Sequence, residues 1–207
     1  MAKIKNLLFD LGGVIVDAKR DDCVAALTSI GMRDADEMIG LYEQTSAFGS
    51  LESGEIGVDE FHTEFRRHFD RPVTDEQIDK AIEAFIPGLP LHRLQALTEL
   101  RKRYKTYVLS NTNPILFEGR IAELFKGEGK TIDDYFDGTT TSYKAGACKP
   151  RREIFDYAVK TMGIDPAETM FFDDGQGNVD AAIAYGFNAA LVPEGGEFVD
   201  VIKQLGL

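Results

Sequence analysis

Residues 169–192 read TMFFDDGQGNVDAAIAYGFNAALV, and this stretch decides the fold class. Its two ends, TMFFDD (169–174) and NAALV (188–192), are short and apolar, as buried strands are. The segment between them has the length and spacing of a helix. Two strands that are joined through a helix pair in parallel. The stretch therefore predicts a strand–helix–strand unit of an α/β protein.

Three further apolar runs extend this pattern along the chain. They are KIKNLLF (3–9), KTYVLS (105–110) and YFDGTTT (135–141). Segments with helical spacing lie between the runs, including HRLQALTELRKRY (92–104) and REIFDYAVKTMG (152–163). Strands that alternate with helices predict a parallel sheet with helices on both faces. We expect a three-layer, Rossmann-like α/β core.

The stretch 18–88 interrupts this alternation. Its spacing is helical throughout, it contains no convincing strand, and it ends in turn residues that include Pro87 and Gly88. We predict a core domain formed by residues 1–17 and 89–207, with residues 18–88 inserted as an all-helical cap domain. An insertion at this point would cover the carboxyl ends of the strands, where open α/β sheets bind their ligands.

Composition excludes several classes of protein. The chain has 207 residues, 43% hydrophobic and 28% charged, which is typical of a globular protein. Its 23 basic and 35 acidic side chains give a formal net charge of −12. A protein that binds nucleic acid through the phosphates needs a concentrated basic surface, and the sequence contains no run of Lys and Arg that would form one. We expect no nucleic-acid partner.

The sequence also favours a cytoplasmic location without a membrane span. The longest nearly apolar stretch, residues 181–192, is too short to cross a bilayer. The amino-terminal segment resembles a secretion signal only until Asp10, which falls where such a signal is uncharged. Cys23 and Cys148 lie far apart in a chain that is large enough to need no disulfide. We expect reduced thiols and a monomer or weak homodimer.

Polar side chains that suit phosphate chemistry follow four of the predicted strands. They are Asp10 after the first strand, Ser110 and Asn111 after the second, Lys149 after the third, and Asp173 and Asp174 at the fourth. The carboxyl ends of parallel strands meet at one edge of a sheet, so these side chains should lie close together. Carboxylates suit Mg²⁺, while hydroxyl, amide and ammonium groups donate hydrogen bonds to phosphoryl oxygens.

Most of these residues also have a purely structural interpretation. Asp10 could be a turn residue. Asn113 followed by Pro114 predicts a helix start, and Asp173 and Asp174 could cap the helix that follows them. However, two adjacent carboxylates at the end of an apolar strand repel each other unless a cation or water shares them. The coincidence of all the positions favours a phosphate site.

Four segments also occur in the order and context of known family motifs. They are FDLGGVIVD (9–17), VLSNTN (108–113), SYKAGACKPRREIF (142–155) and FFDDGQGNVDAA (171–182). Together they resemble the motifs of the haloacid dehalogenase superfamily, and the last three are most similar to the subgroup that contains α-D-glucose-1-phosphate phosphatase. ESGEIGVDEF (52–61) is similar to a cap segment of that subgroup. The resemblance spans essentially the whole chain.

The resemblance implies a phosphatase with Mg²⁺ as its cofactor and an aspartyl-phosphate intermediate on Asp10. The implied catalytic residues are Asp10, Ser110 and Lys149. The implied phosphate-binding residues are Ser110, Asn111, Lys149 and Gly12. The implied metal ligands are Asp10, the carbonyl of Gly12, Asp173 and Asp174. A carboxylate can attack a dianionic ester only where positive groups offset the repulsion. Helices after Asp10 and Ser110 are expected to add their amino-terminal amides.

One position departs from the family pattern. Superfamily phosphatases usually carry a second acid two residues after the nucleophile, and here that position is Gly12. This glycine leaves open a phosphate-sensing protein with little turnover. A haloacid dehalogenase is a further alternative, although it would have no metal for Asp173 and Asp174 to bind. We expect a phosphomonoesterase for a small phosphorylated metabolite such as a sugar phosphate, with a preference for esters that have an acidic leaving group.

Expectations also concern three further residues of these segments. The positive charge of Arg151, two residues after Lys149, could face the pocket or solvent, and we expect solvent. Glu55 and Ile56, in the turn of the cap segment, are candidates for contact with the substrate.

Overall fold

The computed structural model describes residues 3–40 and 47–207, and within them five strands form one parallel sheet. The strands are β1 (Asn6–Phe9), β2 (Lys105–Ser110), β3 (Gly138–Thr141), β4 (Thr169–Asp173) and β5 (Asn188–Leu191). Their order across the sheet is β3-β2-β1-β4-β5. Each predicted run contains one of them, so the predicted α/β class is confirmed. The third strand is shorter than predicted. The N–H groups of Tyr135 and Phe136 both donate to the carbonyl of Ile132, so these residues complete the 3₁₀ turn Ile132–Asp134 instead of joining the strand.

Helices connect the strands. They are α1 (Arg20–Ser29), α2 (Ala35–Met38), α3 (Ala47–Glu52), α4 (Val58–Phe65), α5 (Asp75–Glu83), α6 (Leu91–Leu100), α7 (Ala122–Gly127), α8 (Ser142–Ala145), α9 (Arg152–Met162), α10 (Gln176–Tyr185) and α11 (Phe198–Gln204). A π-helical turn, Ile115–Ile121, leads into α7, and further 3₁₀ turns are Arg66–His68 and Pro166–Glu168. None of the helices in these two ranges has the length and apolarity that a bilayer span requires.

The sheet is buried on both faces. Successive side chains of a strand point to opposite faces, and β1 follows this rule. Phe9 packs on one face, with its ring centroid 5.2 Å from that of Phe198 of α11. Leu8 lies in a separate apolar cluster on the other face, together with Phe155 of α9 and Phe171 of β4. Apolar clusters therefore cover both faces of the sheet, which explains why the central strands are nearly continuous apolar runs. The three-layer prediction is confirmed.

The predicted insertion, residues 18–88, is helical in the part that the structure describes, 18–40 and 47–88, where α1 to α5 and the 3₁₀ turn Arg66–His68 are its regular elements. Its two ends run side by side. The N–H of Asp17 donates to the carbonyl of Gly88 at 2.9 Å, and the N–H of Lys19 donates to the carbonyl of Phe85 at 2.8 Å. The segment therefore leaves and rejoins the sheet at one place. Its assignment as a separate cap domain, residues 18–88, stays a prediction.

Candidate active site

The carboxyl ends of neighbouring strands bring three carboxylates together. Asp10 directly follows β1, Asp173 ends β4, and Asp174 is the next residue. One oxygen of each lies within 4.8 Å of the others. The N–H of Asp10 donates to the carbonyl of Phe172 at 2.8 Å, which extends the pairing of β1 and β4 to this point. Sheet pairing thus fixes the spacing of these acids.

Lys149 lies in the middle of this cluster. Its side chain is 1% exposed, and its Nζ lies 2.9 Å from Oδ1 of Asp10 and 2.6 Å from Oδ2 of Asp173. Burial alone would lower the pKa of Lys149, but the two carboxylates outweigh this effect and raise the pKa above its ordinary value. The residue therefore carries a permanent positive charge beside Asp10.

Asp173 holds this lysine in place. Its Oδ1 accepts hydrogen bonds from the N–H of Gly175 at 2.8 Å and from Nδ2 of Asn178 at 2.9 Å. Its Oδ2 accepts from Lys149. The carboxylate is fully buried, and both oxygens have donors. Asp173 thus ties Lys149 to the first turn of α10, and this contact is its principal interaction in the site.

Asp174 faces the loop that follows β1. Gly13 in that loop has φ 71°, in the left-handed region, and a Cβ there would collide with the Asp174 carboxylate. Glycine therefore lets the backbone pass directly against this acid. Burial raises the pKa of Asp174, and the charge of Asp173 adds to the shift. The Asp174 carboxylate has no lysine or arginine partner among the described residues.

The cluster suits a divalent cation. Burial raises the pKa of Asp10 well above its usual range, the charges of Asp173 and Asp174 add to this, and Lys149 opposes it. Three carboxylates against one ammonium leave an excess of negative charge in a buried place. Oxygen donors within a few ångströms of one another are the ligands that Mg²⁺ prefers. The donor set of Asp10 and Asp174, with Asp173 beside them, fits such an ion.

Polar residues lie at the end of β2 and directly after it. Ser110 is 2% exposed and lines the same cavity as Asp10. The Asn111 side chain bonds both backbone polar groups of Lys149. Its Nδ2 donates to the Lys149 carbonyl at 3.0 Å, and its Oδ1 accepts from the Lys149 N–H at 2.7 Å. Asn111 was expected to bind phosphate, but its visible contact positions Lys149. Asn113 accepts from the N–H of Leu116 at 3.1 Å and so forms the expected helix cap.

The backbone after Asp10 differs from the expectation. The first helix begins only at Arg20, so the prediction of helix amides directly behind Asp10 is wrong. Instead a tight turn follows β1, in which Gly13 donates to the carbonyl of Val16 at 2.9 Å. Gly13 has φ 71°, which a right-handed helix does not contain, and the apolar residues of this turn are buried in the core.

Two cavities of about 500 and 820 Å³ meet at these residues. They share Glu52, Asn111, Lys149, Asp174 and Asn178. Each volume is in the range of small-ligand sites. Arg151 is exposed, as expected, and also lines the larger cavity, as does Glu55. Ile56 instead packs against the apolar core and does not line either cavity, so its expected contact with a ligand is not seen.

Glu52, the last residue of α3, was not singled out from the sequence. It lines both cavities. Burial raises the pKa of Glu52 to about 8, the charge of Asp10 adds to the shift, and Lys149 opposes it. Among the described residues its carboxyl group takes part in no hydrogen bond or ion pair. The only signal in the sequence is its place at the start of ESGEIG, since nothing local relates it to Asp10.

Comparison with known proteins gives consistent results. Residues 4–186 match a family model described as haloacid dehalogenase-like hydrolase. A D-ribitol-5-phosphate phosphatase of Bacteroides thetaiotaomicron is 40% identical over 193 residues, which cover 93% of each chain. A glyceraldehyde 3-phosphate phosphatase of Pyrococcus furiosus is 24% identical, over 84% of this chain and 74% of the relative.

A solved structure is also similar over nearly the full length. It is a mutant of a HAD family enzyme from Bacteroides thetaiotaomicron in complex with magnesium and inorganic phosphate. Its TM-score is 0.91 at 33% identity, and the match covers 96% of this chain and 98% of that one.

Proposed function

The chain belongs to the haloacid dehalogenase-like hydrolase family, and from this premise we propose that it is an Mg²⁺-dependent phosphomonoesterase of small phosphorylated metabolites. The observation that carries the proposal is the group of Asp10, Lys149 and Asp174 that lines the cavity, in which Asp10 and Lys149 are buried and Asp174 is half-buried. A phosphatase relative at 40% identity and a similar enzyme with magnesium and phosphate bound support the same chemistry.

In the proposed reaction Asp10 attacks the phosphorus atom and becomes an aspartyl-phosphate, which water then hydrolyses. Lys149 lies 2.9 Å from Asp10 and offsets the repulsion between the carboxylate and the phosphoryl oxygens. Ser110 offers its hydroxyl to a phosphoryl oxygen. Asn111 and Asp173 hold Lys149 from its backbone and from its ammonium group.

The residues proposed to hold Mg²⁺ are Asp10, the carbonyl of Gly12 and Asp174, with Asp173 next to them. A bound Mg²⁺ would neutralise charge on the transferring phosphoryl group. A haloacid dehalogenase needs no such ion, and the excess of carboxylates around Asp10 therefore favours the phosphatase.

We propose sugar or polyol phosphates as the substrates. The relatives named above act on D-ribitol 5-phosphate and glyceraldehyde 3-phosphate, and two joined cavities of a few hundred Å³ suit molecules of this size. Glu55 and Arg151 line the larger cavity and can meet hydroxyl groups.

The test is phosphate release from a panel of esters with and without Mg²⁺. The panel contains ribitol 5-phosphate, glyceraldehyde 3-phosphate, glucose 1-phosphate and an aryl phosphate. We expect Mg²⁺-dependent release that Asp10→Asn abolishes while the fold is kept, because the amide is nearly isosteric but not nucleophilic. Asp174→Asn should raise the Mg²⁺ concentration needed for half-maximal rate. Asp200→Asn, an exposed change on α11, is the control and should leave the rate unchanged.

Two outcomes would contradict the proposal. Wild-type rates in Asp10→Asn at saturating Mg²⁺ would exclude the aspartyl-phosphate. Tight binding of inorganic phosphate without hydrolysis of any ester would instead favour the phosphate-sensing alternative that Gly12 leaves open.

A further inference from the structure

The departure of an alkoxide needs a proton donor, and the acids beside Asp10 are not suited to this task. Position 12 has no side chain. Both oxygens of Asp173 already accept hydrogen bonds from neighbouring groups. Asp10 and Asp174 are the proposed nucleophile and metal ligand. A donor must therefore come from another wall of the cavity.

Glu52 occupies such a position. It belongs to α3 rather than to a strand end, and it lines both cavities together with Lys149 and Asp174. It is near enough to Asp10 for the two charges to influence each other. No other described residue holds its carboxyl group, so it is available to a ligand in the cavity. We propose that Glu52 is the general acid and base of the reaction, a role that rests on the proposed function.

The structure also holds the turn after this glutamate against α8. Gly54, two residues after Glu52, has φ 71°, and a Cβ there would collide with the carbonyl of Tyr143. The turn after α3 therefore lies directly on α8. Helix α8 is itself fixed to the end of β2, since Ser142 Oγ both accepts from the Thr112 N–H and donates to the Thr112 carbonyl, at 2.9 Å each.

The surroundings of Glu52 favour its protonated form at neutral pH. Burial raises its pKa to about 8, the negative charge of Asp10 acts in the same direction, and Lys149 opposes both. The other charged or titratable groups that line the cavities around it are Asp17, Lys19, Arg20, Glu55, Arg93, Cys148, Arg151, Asp174 and Glu194. A carboxyl group that is protonated near neutral pH is matched to general acid catalysis.

The proposed proton transfers balance over the cycle. In the first half, Asp10 forms a bond to phosphorus, the bond from phosphorus to the ester oxygen breaks, and the proton of Glu52 moves to that oxygen. In the second half, a water oxygen bonds to phosphorus, the bond from phosphorus to Asp10 breaks, and a water proton returns to Glu52. This cycle revises the expectation from Gly12: the wild-type rate should depend little on leaving-group acidity.

The experiment compares Glu52→Gln with the wild type on an alkyl and an aryl phosphate at saturating Mg²⁺. We expect kcat/KM for the alkyl ester to fall by roughly 10²–10⁴-fold, the usual contribution of general acid catalysis, and to fall far less for the aryl ester, whose phenolate leaves unaided. Aspartyl-phosphate should accumulate on the variant during aryl ester turnover, because water activation is also lost. Glu60→Gln, an exposed change on α4, is the matched control and should match the wild type.

Three results would overturn the assignment. Equal losses on both esters would mean a role in folding or binding, and an unchanged alkyl rate would mean no role. Circular dichroism and the response of the melting temperature to Mg²⁺ show whether Glu52→Gln has a folding defect. A second variant, Glu52→Asp, keeps the carboxyl group and should retain more alkyl ester activity than Glu52→Gln. A wild type that hydrolyses neither ester would instead remove the proposed function itself, and Glu52 with it.

Discussion

Gly12 and Gly13 are adjacent, but they tolerate a side chain very differently. Gly12 has φ outside the left-handed region, and a Cβ there would make only an ordinary contact with the Cβ of Ala18 at 3.6 Å. An aspartate can therefore be added at position 12 without backbone strain. We expect Gly12→Asp, placed in Glu52→Gln, to restore at least about tenfold of the lost alkyl ester activity, within the 10²–10⁴-fold range of such catalysis. The ratio of alkyl to aryl kcat/KM measures this.

Gly12→Ala in the same background is the control, because it adds a Cβ without an acid. If both double variants gained activity equally, the effect would come from the backbone rather than from a proton donor.

Gly13 should not tolerate the same change. Its φ of 71° and the collision of a Cβ with Asp174 mean that Gly13→Ala must move either the loop or the acid. A non-glycine residue in the left-handed region costs about 1–2 kcal/mol. We expect Gly13→Ala to lower the melting temperature and to weaken Mg²⁺ binding, which calorimetric titration with Mg²⁺ measures. Unchanged Mg²⁺ affinity would show that Asp174 is not held by this contact.

At the level of elements, α5 begins with a capping box. The N–H of Gln77 donates to Oγ1 of Thr74 at 3.3 Å, and the N–H of Thr74 donates to Oε1 of Gln77 at 2.9 Å. Loss of a Thr cap costs about 1 kcal/mol, which corresponds to roughly 2–4 °C in a domain of this size. We expect Thr74→Ala to lower the melting temperature by that amount and to leave kcat unchanged, and Thr74→Ser to retain most of the stability. If Thr74→Ala lowered the melting temperature by this amount and also lowered kcat, α5 would have a role in the reaction that its contacts do not indicate.

The strands and helices were largely predictable because their signals, short apolar runs and helical spacing of apolar residues, are local in the sequence. The central strands β1, β2 and β4 are short runs that are largely apolar, and Asp10, Ser110 and Asp173 each lie at the end of one. Parallel pairing then brings the ends together without further information. Lys149 follows β3 at a longer distance, so its place after the third strand made it a candidate, and the family motif gave its role.

Glu52 could not be predicted in the same way. Its approach to Asp10 depends on how α3 packs on α8 through Gly54, and this contact joins residues that are far apart in the sequence. The cap segment drew attention to Glu55 and Ile56 instead, because they lie in its turn. Similarly, no local pattern shows that the amide of Asn111 is taken up by the backbone of Lys149.

The whole molecule should be more stable with the site protonated or filled than with it charged and metal-free. Burial raises the pKa values of Asp10 and Glu52, so the folded chain binds these protons more tightly than the unfolded chain. Such groups reduce stability as pH rises from about 4, the ordinary carboxyl value, to about 8. We expect the melting temperature in chelator to fall across this interval, and to fall less in Asp10→Asn.

Mg²⁺ should reverse this loss. An ion that binds only the folded state at one hundred times its Kd adds about 2.7 kcal/mol of stability. The rise in melting temperature on addition of Mg²⁺ should therefore be largest near pH 8, and Asp174→Asn should reduce it. A melting temperature in chelator that rose steadily from pH 5 to 8 would contradict the charge balance of the cluster, in which three carboxylates lie around one ammonium group. A melting temperature that did not respond to Mg²⁺ would contradict it as well.

The side-by-side pairing of residues 17–19 with residues 85–88 has a consequence for the order of folding. The central strands β1 and β2 pair Asn6 with Lys105, so their pairing closes a loop of roughly a hundred residues. If the helical segment, residues 18–88, forms first and its two ends pair, the loop that remains to be closed has roughly thirty residues. This shortening lowers the entropic cost of closure by about 1 kcal/mol. We therefore expect the helical segment to acquire protection from hydrogen exchange before the centre of the sheet, so that the part of the chain which brings Glu52 to the cavities is also the part that prepares the sheet to assemble.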